Sequence, residues 1–143
     1  MEAQHASSVL SSIKAVTIRL KPGEDLKAQL DDYVNTHHIA AACIVTCVGS
    51  LQTAVIRYAN QPNADTLYGH FEIVSLTGTL ATSGSHLHIA ISDDTGKMIG
   101  GHLKEGSIIY TTAEIVLGIL PGVVYSREMD TTYGYKELMV RPK

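Results

Sequence analysis

The sequence predicts an α+β domain: a largely antiparallel sheet of seven or eight strands with one main flanking helix and short helical turns. Three observations carry this. A single segment shows helical periodicity, with Leu26, Leu30, Tyr33 and Val34 at i, i+4, i+7 and i+8. Everything that follows is a succession of short apolar or alternating runs rich in strand-forming residues. Those runs are mostly joined by short turns, and the second half offers no long helix to build a doubly wound fold.

Taken in order, residues 1–13 read as a polar tail and residues 14–143 as one domain, a length sufficient for a full core. AVTIRL (15–20) alternates as a strand does. Pro22, Gly23, Glu24 and Asp25 then give helix-start signals, the acidic pair suiting the positive end of the helix dipole, and the helix should end near Thr36. AACIVTCVGS reads as a buried strand, followed by LQTAVIRYA and GHFEIVSLTGTLA on either side of the turn-rich NQPNADT. HLHIAIS and KMIGGHL flank DDTG; SIIYTTAEIVLGIL is broken off by Pro121-Gly122, and VVYSREMD and YKELMVRP close the chain.

Composition narrows the function. A formal net charge of −3 and the lack of any Lys/Arg run argue against direct DNA binding, which calls for a basic face. No apolar stretch approaches a membrane span, and the polar N-terminus has no signal-peptide core, so a cytoplasmic protein is expected, or a nuclear one if the source is eukaryotic. Cys43 and Cys47 are the only cysteines. Their i, i+4 spacing puts them on one face of a regular strand, where they read as reduced core residues.

The chemistry concentrates in GSHLHIAISDDTGKMIGGHL (84–103). On a strand, His86 and His88 share one face while Leu87, Ile89 and Ile91 share the other. A three-residue loop Asp94-Thr95-Gly96, with Gly96 left-handed, would pair Asp93 with Lys97 and His88 with His102. All three imidazoles would then converge. A loop one residue shorter or longer, or a bulge at Gly100-Gly101, would send His102 to the other face. Converging imidazoles without thiolate suit zinc with a fourth position open; the alternative is a solvent-facing strand that happens to carry histidines. Candidate acid–base partners are Glu72, Glu105, Glu114, Glu128 and Glu137, with an Arg127–Glu128 ion pair also open. Gly100 and Gly101 would admit a ligand or neighbouring backbone closely. His5, His37 and His38 read as solvated.

GHFEIVSLTG, SHLHIAISDDTGKMIGGHLKEG, AEIVLG and SREMD together resemble the plants-and-prokaryotes conserved (PPC) domain over roughly residues 14–140. His70 stands where that pattern has Arg, and Tyr133 where it has Thr. The resemblance implies a mostly antiparallel sheet assembled as a homotrimer. Plant relatives join the domain to a basic AT-hook, and no such segment occurs in this sequence, whose arginines Arg19, Arg57, Arg127 and Arg141 are scattered. A remoter likeness, to acetolactate decarboxylase and a zinc-dependent ester hydrolase, implies a metal at His86, His88 and His102. The expectation is a homotrimeric zinc protein, acting on a small carbonyl or ester compound. The alternative is a non-catalytic trimeric interaction module or a DNA-associated regulatory protein.

Overall fold

The computed structural model describes residues 7–143, so the reading of His5 as solvated lies outside the described residues. Strand β1 (Lys14–Leu20) leads into helix α1 (Leu26–Thr36). Asp25 caps the helix, its carboxylate accepting the Ala28 N–H at 3.0 Å. Glu24 sits just ahead of the first turn, where it accepts the Lys21 N–H at 2.6 Å. Leu26, Leu30 and Val34 bury the apolar stripe, with Tyr33 half-buried at its margin. The helix ends at Thr36 as its periodicity implies, and it covers one face of the sheet.

Seven strands follow: β2 (Ala42–Arg57), β3 (Asp65–Leu80), β4 (His86–Ser92), β5 (Met98–Leu103), β6 (Ile108–Ile119), β7 (Val123–Asp130) and β8 (Tyr135–Pro142). The eight strands divide between two sheets. Six form an antiparallel sheet in the order β1-β6-β2-β3-β4-β5, and β7 and β8 form a separate ribbon. Pro121-Gly122 causes the division: proline lacks the N–H a continuing ladder needs, and the chain turns away after β6. Among the described residues α1 is the only helix, so the short helical turns are replaced by hydrogen-bonded turns.

The runs on either side of Gly49-Ser50 form one 16-residue strand, β2. Irregularities in its register with β6 bend it without ending it. One of these moves a cysteine. Ile44 pairs with Leu117 and Thr46 with Val116, so Val45 is an extra residue and the side-chain alternation flips across it. Cys47 therefore faces the core with Ile115, whereas Cys43 lies on the opposite face, half-buried beside Gly118. The expectation that both share one face fails because it assumed an unbroken period of two.

Strand β2 pairs with β6 from Ala42 to Thr53, but its last residues pair with β5, matching Ile56 to Leu103 and Arg57 to His102. Strands β2, β3, β4 and β5 thus close on one another. Gly100 and Gly101 permit the closure: a Cβ on Gly101 would stand 2.5 Å from the Arg57 carbonyl oxygen, and one on Gly100 2.7 Å from that of Ile89. Leu87, Ile89, Ile91 and Leu103 point inward to join Leu51, Ile56, Ile109, Ile115 and Leu117 in a continuous apolar core.

Candidate metal centre

The β4–β5 hairpin forms in the register that its turn chemistry implies. Asp93 and Lys97 close the loop, the Asp93 N–H donating to the Lys97 carbonyl at 3.0 Å, and Gly96 takes φ +82°. The Asp93 carboxylate holds the loop from inside, accepting the Thr95 hydroxyl at 2.7 Å, the Thr95 N–H at 2.9 Å and the Lys97 N–H at 3.0 Å. Those bonds, the Thr95 hydroxyl foremost, hold its pKa below the ordinary value. With the loop fixed, Ser92 faces Met98 and His88 faces His102.

His86, His88 and His102 converge on the outer face of this hairpin. One ring nitrogen from each lies within 4.8 Å of the others. The Nε2 atoms of His86 and His88 are 3.2 Å apart, while the rings of His86 and His102 lie nearly parallel with centroids at 5.4 Å. Nitrogens around a tetrahedral zinc stand about 3.3 Å apart, from Zn–N bonds of about 2.0–2.1 Å. The His86–His88 pair already has that spacing, and the half-buried His102 offers a ring nitrogen within 4.8 Å of both. Burial first, then His88, lowers the pKa of His86; burial, then Arg57, lowers that of His102 to about 4. Both shifts favour the neutral ring, the form that ligates.

The five candidate carboxylates separate clearly. Glu137 lines a cleft of about 630 Å³ that His86 and His102 also line. Glu72 pairs across the ladder with Ser50 and Ser92, at the far end of β4. Glu114 is exposed between Arg19 and Val48, so its apolar run does not bury it. Glu105 is exposed beyond the end of β5. Glu128 pairs with Arg141 in place of Arg127. Arg127 instead donates to the Thr79 hydroxyl at 3.0 Å, and Thr79 is the ladder partner of His86. His70 stacks on Tyr110 with ring centroids 4.3 Å apart and takes no part in the cluster. His37 and His38 are exposed at the end of α1.

Arg57, Lys104 and Arg127 also line the cleft. In the sequence they were scattered cations. Each comes from a different strand or strand end, and no local pattern announces their convergence.

The profile of the Plants and Prokaryotes Conserved (PCC) domain matches residues 7–121, all three histidines included. The chain belongs to this family. The match stops before β7, so the ribbon carrying Arg127 and Glu137 lies beyond it. Among curated relatives, the bifunctional protein GlmU of Synechococcus sp. (strain JA-2-3B'a(2-13)) is 41% identical over 131 residues, 92% of this chain and 21% of that protein. The chain thus spans about a fifth of the length of the first curated relatives it matches. A hypothetical protein from Salmonella enterica superposes with a TM-score of 0.92 at 40% identity, covering 94% of this chain and 98% of that one. The metal-containing protein AF0104 from Archaeoglobus fulgidus superposes with a TM-score of 0.83 at 26% identity, covering 94% and 99%.

Proposed function

We propose that His86, His88 and His102 hold one zinc ion, and that a homotrimer of this chain uses it on a small carbonyl- or ester-containing molecule. The carrying observation is the three ring nitrogens within 4.8 Å of one another on a fixed hairpin. Imidazoles without thiolate or a fourth protein ligand among the described residues favour zinc in an open site over a closed structural one. The metal-containing Archaeoglobus relative supports the same reading. When bound, zinc would supply Lewis acidity toward a carbonyl oxygen and lower the pKa of a coordinated water.

This chain's own residues supply the rest. The apolar side of β4 fixes the hairpin, and the Arg57–His102 ladder pairing sets the position of the third histidine. Glu137 is the carboxylate placed to hold or pass a proton in the cleft. A trimer would cover the open side of the sheet, where Val45, Val48, Val74 and Tyr110 are 54%, 56%, 48% and 40% exposed. Two unbridged cysteines fit a reducing, cytoplasmic setting.

Elemental analysis of the purified protein and of three alanine variants tests the proposal. His86→Ala, His88→Ala and His102→Ala should each lose most of the zinc and keep the fold by circular dichroism, because the core lies on the opposite face. His5→Ala and His37→Ala should keep it. Full zinc in His102→Ala would overturn the assignment. Loss of metal together with loss of fold in all three would make the ion structural.

A further inference from the structure

The chain carries a net charge of −3, yet the cleft beside the histidines gathers Arg57, Lys104, Arg127 and Lys136 against the single carboxylate of Glu137. Such a local excess needs an explanation, since like charges gathered in a cleft repel and focus a positive potential there. The two guanidiniums flank the histidine cluster. Arg57 is the ladder partner of His102, and Arg127 bonds to the ladder partner of His86.

Neither guanidinium has a carboxylate partner among the described residues, whose ion pairs are Lys27–Asp31 and Arg141–Glu128. Each is held instead by a neutral acceptor, Arg57 by the Gln61 carbonyl at 3.1 Å and Arg127 by the Thr79 hydroxyl at 3.0 Å. These bonds aim the planar groups and leave their charge and remaining N–H donors free. Ser85, next to His86, adds a buried hydroxyl with no hydrogen-bond partner, and it lines the same cleft. A volume of about 630 Å³ lies within the range of small-molecule sites.

We propose that this cleft binds a small molecule through an oxyanion, a carboxylate or a phosphate, clasped by Arg57 and Arg127. In naming that molecule as the substrate of the histidine site the inference rests on the proposed function, but the anion site itself needs no metal. Paired guanidinium forks suit planar, multi-oxygen anions better than point charges do. The ligand's uncharged end would then lie toward His86 and His102. The ribbon β7–β8 thereby acquires a role, since it carries Arg127, Lys136 and Glu137 to the cleft.

The test titrates the intact chain, zinc-depleted and zinc-loaded, with inorganic phosphate and with acetate, using acetamide as the uncharged counterpart of acetate. Binding is read from calorimetry and from the NMR shifts of the arginine Nε–H groups. At least one anion should bind the zinc-depleted protein saturably, and acetamide should not. Affinity should fall roughly tenfold or more in Arg57→Gln and in Arg127→Gln, as expected for a lost charge-assisted bond. Arg57→Lys and Arg127→Lys should recover part of it, and Arg19→Gln, on β1, should match wild type. Preference for phosphate or for acetate identifies which oxyanion the site reads. Zinc content should not change in the arginine variants.

Absence of saturable binding for both anions, or wild-type affinity in both glutamine variants, would overturn the proposal. Anion binding that persists in a chain taking up no zinc would leave this site standing and remove the metal reading. Zinc uptake without anion binding would do the reverse.

Discussion

At the scale of single residues, His102 shows how neighbours decide chemistry. It pairs with His88 on one side and Arg57 on the other, and its ring is partly buried. Burial first, then the adjacent guanidinium, lowers its pKa from 6.5 to about 4. The unfolded chain takes up that proton near 6.5, so between 6.5 and about 4 it binds more protons than the folded chain does. The stability due to this group is therefore present above pH 6.5 and is lost as pH falls toward 4. Urea unfolding of the chelator-treated protein at several pH values should show the decline, and His102→Asn, which cannot titrate, should flatten it. An unchanged slope in that variant would place the responsible group elsewhere. The three histidines were legible in the sequence because strand alternation and one turn set their positions. Arg57 and Arg127 were not, since their nearness to the histidines follows from pairings between distant segments.

At the scale of elements, what was legible divides along the same line. The helix announced itself through its stripe and through the Asp25 cap, and the hairpin through Asp-Asp-Thr-Gly, because both obey rules local to a few residues. The bulge at Val45 left no such mark. It arises from how β2 fits β6, and it put the two cysteines on opposite faces. Their reactivity should differ as a result. Cys47 is buried, and that burial raises its thiol to a pKa of about 11, so little reactive thiolate forms. An aromatic disulfide reagent should label at most one thiol in the native protein, and Cys43→Ser should abolish that labelling. Cys47 should react only in denaturant. Equal native rates at both positions would contradict the bulge.

At the scale of the molecule, the exposed apolar side of the β2–β3–β6 sheet predicts association. Sedimentation should report about 46 kDa, three chains of 15.4 kDa, and a monomer at micromolar concentration would count against the trimer. Duplex DNA should not bind at physiological salt, because a chain of net charge −3 releases few counterions from phosphate. Tight binding with a steep salt dependence would reverse that expectation. The one concentration of positive charge described above is a concave cleft, a shape for a small ligand and not for a duplex. No helix among the described residues is long and apolar enough to cross a membrane.

The sequence by itself determined the fold class, the helix, most of the strand segments along the chain and the register of the histidine hairpin. Side-chain period, capping and turn preference act over a few residues and can be read along the chain. Only the tertiary structure decided that eight strands would split into a sheet and a ribbon, that β5 would close onto β2, and that Arg57, Arg127 and Glu137 would meet at the histidines. Those outcomes depend on which distant backbones can approach, as when Gly101 lets β5 lie against Arg57, and sequence spacing carries no record of that distance.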